Sequence, residues 1–553
     1  MKPQMDTDKH RFEEVCRDAS HVGAGRVFFL SVFICVHLWL LLLVSCSSNP
    51  TDPRTVIPAD SLVYLETSDL GKVMDAITSN PKFQQLAKTK PDTSALNGIR
   101  LSVAVTGLQA SEEQVSEEQV VGQFKPRFVA VAETNAWNYQ ALRFTENKLG
   151  EFVNDVYDGE VELNTSDKNG GKYFVWTAQD GRKAYALVRG SLILFGNDES
   201  AIDKCVYVLD GGAESIAKNA KVSALSPDSL ASGYISKDGV AQAANLAGVS
   251  LAVGAGEENE VKSFIARVLP EVVRNSVTEV VWSAKRTDIG RMEDSYTISL
   301  EPDVAKVFGE TVIPGADPDP DLSRFIPKEF ISTTRYNMKD AQIAWRSVLL
   351  VARTKTDQVS GSLLTAFSSS LFEPFGIEDA EMFLSSAGNT LQTVKFDAEG
   401  EDVAVVARIR DLEKLKRSIA KEINLLRAPV QFEGAQLWRS EDGEFAAGIV
   451  EDRIVIGETG SVEKCLSARE RGESLTTVAA NGRIFSSNAA VVTAGEDIDN
   501  EAGVIKLLSE AKDNSTLRQS YATETRFNQN GLERRTVSDL GMIGIIFGKI
   551  GER

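Results

Sequence analysis

Trp176-Thr-Ala-Gln-Asp180-Gly181 recurs later in the chain as Trp438-Arg-Ser-Glu-Asp442-Gly443. Three other pairs of segments correspond in the same order: Phe128–Ala132 and Val403–Ala407, Leu192–Gly196 and Arg453–Gly457, and Ala201–Cys205 and Ser461–Cys465. Self-similarity at a single long period predicts a duplicated domain. We therefore expect two homologous copies, residues 57–309 and 326–550, joined by an acidic, proline-rich linker at 310–325.

Each copy is predicted to be α+β, with a mainly antiparallel sheet and helices packed on it. Alternating apolar residues predict the strands, and apolar residues at helical spacing predict the helices. Asp180-Gly181 lies between two apolar runs and predicts a hairpin with a type I′ turn. Cys205 and Cys465 fall at the same inward-facing helix position, and Trp176 and Trp438 on equivalent strands, so all four are expected in the core.

An apolar segment, Val27–Cys46, precedes the repeat. Its first eighteen residues carry no formal charge. As a helix they would extend roughly 27 Å, which is close to the ~30 Å hydrocarbon core of a bilayer. The segment is therefore predicted to be a signal peptide or a transmembrane anchor. Residues 1–26 then form a cytoplasmic n-region, and residues 47–56 a tether to the folded part.

The end of this segment, Leu43-Val44-Ser45-Cys46, resembles the lipobox of bacterial lipoproteins. The resemblance implies cleavage before Cys46 and a diacylglyceryl group on its sulfur. Residues 1–26 depart from the short basic n-region of that family, because they carry five basic and five acidic side chains. A translation start near Val22 would remove the difference. An uncleaved single-span anchor, with Cys46 unmodified, and a soluble protein are the alternatives.

The net charge of −19 lies wholly in the part after the n-region. Such a surface repels phosphate backbones, which argues against nucleic acid as a partner. We expect the membrane as a partner through the N-terminal segment, together with other envelope proteins or glycans. The expected location is the bacterial cell envelope, with the globular part outside the cytoplasm.

All three histidines, His10, His21 and His37, precede Cys46. The remainder of the chain therefore has no serine–histidine or cysteine–histidine pair, no histidine general base and no histidine-ligated zinc site. We predict no catalytic residue, no cofactor and no metal ligand. Two carboxylates could still hydrolyse a glycosidic bond, since that chemistry needs no imidazole.

The start of the first copy, Pro58-Ala-Asp-Ser-Leu-Val-Tyr64, is followed by Ser68-Asp69 at the start of a predicted helix. This pattern resembles a family of bacterial envelope proteins of unknown function, whose exported domain begins Pro-Ala-Asp-x-x-x-Tyr. The resemblance implies export and brings no activity or site residue with it.

These observations favour a membrane-anchored extracytoplasmic protein with a non-enzymatic binding or scaffolding role. The alternative is a carboxylate-based hydrolase acting on envelope glycans. A groove between the two copies, near residues 310–326, is the expected place for a ligand.

Overall fold

A computed structural model describes residues 51–93, 96–114, 120–157, 159–255, 260–398, 400–475, 489–497, 504–505, 508–509, 512 and 519–551. Within these ranges the chain is a mixture of helices and antiparallel strands, so the α+β prediction is confirmed. The apolar segment Val27–Cys46, including the candidate lipidation residue Cys46, lies outside the described residues.

The described residues contain twenty strands. They are β1 (Val63–Thr67), β2 (Arg100–Gln114), β3 (Val120–Glu133), β4 (Glu162–Lys168), β5 (Gly171–Thr177), β6 (Lys183–Arg189), β7 (Leu192–Gly196), β8 (Ala231–Ile235), β9 (Val277–Arg286), β10 (Met292–Leu300), β11 (Ser332–Asn337), β12 (Ala387–Lys395), β13 (Val403–Ile409), β14 (Val430–Phe432), β15 (Ala435–Arg439), β16 (Phe445–Val450), β17 (Arg453–Glu458), β18 (Val491–Asp497), β19 (Gln519–Asn528) and β20 (Gly531–Ser538).

These strands form one sheet in which every neighbouring pair is antiparallel. The order is β4-β5-β6-β7-β3-β2-β1-β8-β9-β10-β20-β19-β18-β11-β12-β13-β17-β16-β15-β14. Counted outward from the centre, one side of the sheet runs β10, β9, β8, β1, β2, β3, β7, β6, β5 and β4. The other side runs β20, β19, β18, β11, β12, β13, β17, β16, β15 and β14, which is the same series with ten added to each number. We call β1–β10 the first half, β11–β20 the second half, and the β10–β20 ladder the seam.

The helices within the described residues are α1 (Leu70–Thr78), α2 (Pro81–Leu86), α3 (Asn138–Phe144), α4 (Gly150–Val156), α5 (Glu199–Leu209), α6 (Ala220–Ser223), α7 (Lys237–Ala255), α8 (Glu260–Ser276), α9 (Pro302–Thr311), α10 (Ala341–Thr354), α11 (Gln358–Phe367), α12 (Ala380–Ser386), α13 (Leu412–Ser418), α14 (Thr459–Arg471) and α15 (Gly541–Gly551). A π-helical turn, Thr145–Leu149, joins α3 to α4. Asp69 and Asp340 cap the helices that follow β1 and β11, each carboxylate accepting a backbone N–H three residues on.

The two faces of the sheet are covered differently. Helices pack on one face of both halves, with α1, α2 and α15 over β9 and β10. On the other face, α5 covers β3, β6 and β7, and α14 covers β13, β16 and β17. Between α5 and α14 the centre of this second face bears exposed side chains, among them Lys285, Thr297, Glu533 and Arg535. An antiparallel sheet tolerates such a solvated face because its strands can alternate polar and apolar residues.

The helices that follow β10 and β20 each pack across the seam on the other half. Helix α9 contacts β19 and β20, and the Phe308 and Phe527 rings lie 5.6 Å apart. Helix α15 contacts β9 and β10, where Ile543 joins the cluster that contains Trp282. Each half therefore supplies part of the apolar core of the other.

The type I′ prediction for Asp180-Gly181 is wrong. Only Gly181 has a positive φ, of 85°, and the Asp180 carboxylate accepts the Arg182 N–H at 2.9 Å. The aspartate side chain thus closes a longer loop. Positive φ at both central residues occurs at Asn169-Gly170, with 54° and 73°, and at the corresponding Glu433-Gly434, with 47° and 72°.

The segment predicted to be an acidic linker packs on the second half. Leu322, Phe325 and Ile326 are buried in a cluster beneath α14. The Asp319 carboxylate lies 2.9 Å from the Arg453 guanidinium. The backbone N–H of Asp319 donates to Thr390 Oγ1 at 3.0 Å. The C-terminal part of this segment is therefore held to its own half.

Candidate functional site

The open centre of the sheet carries a row of polar residues in register across five strands. Ser232, Ser283, Ser295, Arg535 and Glu524 lie opposite one another on β8, β9, β10, β20 and β19. Paired residues of antiparallel strands point to the same side, so this row forms one surface. We call it the central face.

Charges of both signs lie close together on the central face. The guanidinium of Arg535 donates to the carboxylate of Glu293, which raises the pKa of Arg535. Arg526 donates to the nearly buried Glu524 at 3.2 Å. Such a mixture of donors and acceptors can pair with a polar partner of either sign.

On the opposite side of the same strands, the carboxylate of Asp294 is buried beside the apolar cluster that contains Trp282 and Met292. Asp294 Oδ1 accepts the Trp282 indole N–H at 2.8 Å, and Asp294 Oδ2 accepts the Met542 backbone N–H at 2.8 Å. Burial raises the pKa of Asp294, with the two hydrogen bonds acting in the other direction. Since Met542 lies in the first turn of α15, Asp294 caps that helix across the seam.

A second surface lies at the end of β3, where the described chain begins. The Thr51 N–H donates to Glu133 Oε2 at 3.0 Å, and the Asn135 N–H donates to Glu133 Oε1 at 2.9 Å. Glu133 is fully buried by these contacts. Two aromatic side chains follow at once and project into solvent, with Trp137 51 % and Tyr139 60 % exposed.

A cavity of about 580 Å³ opens beside these aromatics. It is lined by residues 167–172 of the β4–β5 turn, residues 188–190 at the β6–β7 turn, and Asn138 and Leu142 of α3. Thr134 binds the second turn, its N–H and Oγ1 both donating to the Ser191 carbonyl. We call Thr51, Trp137, Tyr139 and the two turns the turn surface.

Three cationic side chains and the carboxylate of Asp167 line this cavity, and each cation is paired with a carboxylate. Lys168 lies 2.8 Å from Glu199. Lys172 lies 3.5 Å from Asp167, and Arg189 lies 2.7 Å from Asp210. The Glu199 hydrogen bond raises the pKa of Lys168. The cavity therefore presents paired charges of both signs.

The residues singled out in the repeat are structural. Cys205 and Cys465 are free and fully buried on α5 and α14, and burial raises the pKa of both thiols. Trp176 and Trp438 lie in the core on the face away from these helices. The prediction that all four are core residues is confirmed.

The structure brings together residues that the sequence patterns do not connect. Glu133 and Thr51 are far apart in the chain, and neither belongs to a motif. The only local indication that Glu133 has a special role is its position at the end of an apolar strand. Near the expected groove, Asp319, Leu322 and Phe325 contact residues of the second half.

No helix within the described residues is both long and apolar enough to span a bilayer. The same residues contain no cluster of three or more potential metal ligands. The chain matches no protein-family model, no curated protein and no solved structure. Its function is therefore argued from its own residues.

Proposed function

We propose that this chain is a membrane-anchored extracytoplasmic protein of the bacterial envelope, with a non-enzymatic binding or scaffolding role. Val27–Cys46 serves as the anchor, either as a lipoprotein signal that leaves an acylated Cys46 or as an uncleaved helix. The absence of histidine after residue 46 supports a role without imidazole chemistry.

The observation that carries the binding role is the middle of the central face, where Lys285, Thr297 and Arg535 are exposed on three neighbouring strands. It lies between two helix-covered regions, so a partner could contact several strands at once. Its polar and charged side chains can satisfy a partner's hydrogen-bonding groups, which supports reversible association.

We also propose that the two halves are homologous copies, arising by duplication. The matching strand order on either side of the seam supports this. The burial of Cys205 and Cys465 on corresponding helices supports it too, as do the bridges Pro58–Ser215 and Pro327–Ser474 at corresponding places. A duplication that preserves core residues but no pair of reactive residues favours a binding function over a catalytic one.

Site-specific photo-crosslinking in intact envelopes tests the binding role. A photoreactive residue at Thr297, exposed on the central face, should give a protein or glycan adduct. The same residue at Val359, which is 69 % exposed on α11, serves as the control. No adduct from Thr297, or the same adducts from both positions, would contradict the proposal.

The alternative, a carboxylate-based hydrolase acting on envelope glycans, gives a different result. Incubating the purified chain with isolated envelope glycan would then release new reducing ends. Under the binding proposal, the glycan stays intact.

A further inference from the structure

The chain is folded almost as soon as it leaves the proposed anchor. Thr51 binds Glu133, Arg54 binds Glu66, and Val56 and Ile57 are fully buried. Only five peptide steps separate Cys46 from Thr51. Because an extended residue spans at most about 3.6 Å, Thr51 can lie no more than about 18 Å from Cys46. An acylated Cys46 and an uncleaved helix give the same limit.

The turn surface surrounds this attachment point. Glu133 binds both Thr51 and Asn135, and Trp137 is only two residues beyond Asn135. Thr134 links the same strand end to the turn at Ser191, which borders the cavity. A short connection to the membrane therefore brings the exposed aromatics and the cavity to the lipid surface with it.

The chemistry of the turn surface suits a headgroup layer. Tryptophan and tyrosine concentrate at membrane–water interfaces, because their rings are apolar and their tips are polar. Trp137 and Tyr139 are both more than half exposed beside the attachment point. Lys168, Lys172 and Arg189 in the cavity are the groups that bind a phosphate by charge-assisted hydrogen bonds.

The carboxylates paired with these cations decide which lipid fits. Asp167 and Asp210 lie beside the cavity cations and would repel a purely anionic headgroup. A zwitterionic headgroup offers a phosphate to the cations and an ammonium to the carboxylates. The net charge of −19 also disfavours close approach to a strongly anionic membrane.

We propose that the turn surface lies on the membrane, with Trp137 and Tyr139 in the headgroup layer and the cavity holding a zwitterionic phospholipid headgroup. The proposal rests on the membrane anchoring proposed above and adds an orientation and a ligand class. The first half is then held at the bilayer by this end.

Quenching of tryptophan by brominated lipids tests the orientation. The full chain is reconstituted in vesicles of phosphatidylethanolamine and phosphatidylcholine, with bromine near the headgroup end of the acyl chains. In an uncleaved chain Trp39 lies within the proposed anchor and is quenched as well, whereas a chain cleaved before Cys46 lacks it. Sedimentation of the chain with the vesicles therefore reports on anchoring. Comparing the wild type with Trp39→Phe and with Trp137→Phe separates the two contributions.

Leu412 provides a matched control. It is the first residue of α13, which follows β13 as α3 follows β3, and it is 39 % exposed. Eleven strand-to-strand steps separate β3 from β13, about 50 Å along the sheet at ~4.8 Å per step. Trp137→Phe should abolish the quenching that does not come from Trp39, and adding Leu412→Trp should not restore it.

The outcomes separate the two proposals. A chain that does not sediment with the vesicles would overturn the anchor. A chain that sediments with them but shows no quenching from Trp137, or equal quenching from Leu412→Trp, would overturn the orientation alone.

Lipid retention tests the cavity. The detergent-solubilised full chain should retain phosphatidylethanolamine, and Lys172→Gln with Arg189→Gln should reduce the retained amount at least fivefold. Arg408→Gln with Arg471→Gln, two exposed cations of the second half, should leave it unchanged. Equal retention by all three proteins, or retention of phosphatidylglycerol in preference, would contradict the headgroup assignment.

Discussion

Helices α5 and α14 cover corresponding parts of the two halves, yet their ion pairs with the β4–β5 and β6–β7 turns, and with the β14–β15 and β16–β17 turns, have opposite polarity. In the first half the cations are on the hairpin turns and the carboxylates on the helix: Lys168 pairs with Glu199, and Arg189 with Asp210. In the second half the turns supply carboxylates and the helix supplies arginines. There Glu433 pairs with Arg471 and Glu451 with Arg469.

The buried residues of the same two helices do not differ in this way. Cys205 and Cys465 are both fully buried, against Leu187 and Leu194 in one half and Leu437 and Val455 in the other. Removing apolar area from water stabilises each helix by several kcal/mol, whereas an exposed ion pair contributes about 0–1 kcal/mol. Buried positions therefore determine this fold, whereas reversing the signs of a surface ion pair changes the stability little.

The largest test of the comparison removes a core tryptophan from each half. Trp176→Ala and Trp438→Ala should each lower the free energy of unfolding by about 3–5 kcal/mol, because each leaves a cavity. Urea unfolding followed by far-ultraviolet circular dichroism measures the change. Trp137→Ala, at a half-exposed position, is the control and should cost no more than about 1 kcal/mol.

The same experiment tests whether the halves unfold together. Packing of α9 and α15 across the seam predicts one transition that both variants shift. Two transitions, each shifted by only one variant, would mean that the halves are independently stable.

The next test concerns the cap that joins the halves. Asp294→Ala leaves the Trp282 and Met542 N–H groups without their acceptor, at a cost of about 1–3 kcal/mol. The raised pKa of Asp294 also predicts a pH dependence. Because the native state binds this proton more tightly than the unfolded state, its contribution to stability grows as the pH falls through the raised value.

The variant Asp294→Asn keeps a side-chain oxygen that can cap α15 but removes the ionisable carboxyl group. The asparagine cannot ionise, so the part of the pH dependence that comes from Asp294 should disappear. Unfolding measured from neutral pH down to pH 4 checks this. The same pH profile in wild type and Asp294→Asn would rule out this residue as the source.

An effect of similar size is expected at the two cysteines. Cys205→Ser and Cys465→Ser each place a hydroxyl in an apolar site, which should cost about 1–3 kcal/mol in either half. Burial raises the pKa of the Cys205 thiol to about 12 and raises that of Cys465 as well. Both thiols should therefore resist iodoacetamide at pH 8 until the chain unfolds, as peptide mass spectrometry would show.

Labelling of these thiols also distinguishes the halves. Modification of both at the same urea concentration agrees with a single transition. Earlier modification of one cysteine would show that its half opens first.

The smallest effect is expected from reversing a surface pair. Lys168→Glu in the first half and Glu433→Lys in the second should each change the free energy of unfolding by about 1 kcal/mol or less. The effect should shrink as salt is added, because these side chains are partly exposed. A decrease of more than about 2 kcal/mol in the free energy of unfolding would show that the sign of each surface ion pair matters for the fold.

The sequence predicts those parts of the fold that depend on local patterns. Alternating apolar residues place β5, β6 and β7 and their counterparts, and helical spacing turns Cys205 inward. The turns are less predictable, because Asp180 uses its side chain to close a loop where Asn169 adopts a positive φ. Both conformations are open to an Asx-Gly pair.

Contacts between distant segments could not be predicted. In the sequence, Asp294 is one of several acidic residues in a polar strand. Its role as a cap depends on the Met542 N–H, which only the tertiary fold brings to it. The burial of Leu322 and Phe325 likewise depends on α14, which lies far along the chain. In the turn surface, Thr51 meets Glu133 only through the tertiary fold.

The seam imposes an order on folding. It joins β10 to a strand more than two hundred residues later in the chain, so β10 is an edge strand until β20 has been synthesised. Glu293, Asp294 and Ser295 make that temporary edge polar, which discourages pairing with another chain. Ladders between such distant segments form slowly. Closing the seam brings α15 to Asp294 and α9 to β19 in the same step.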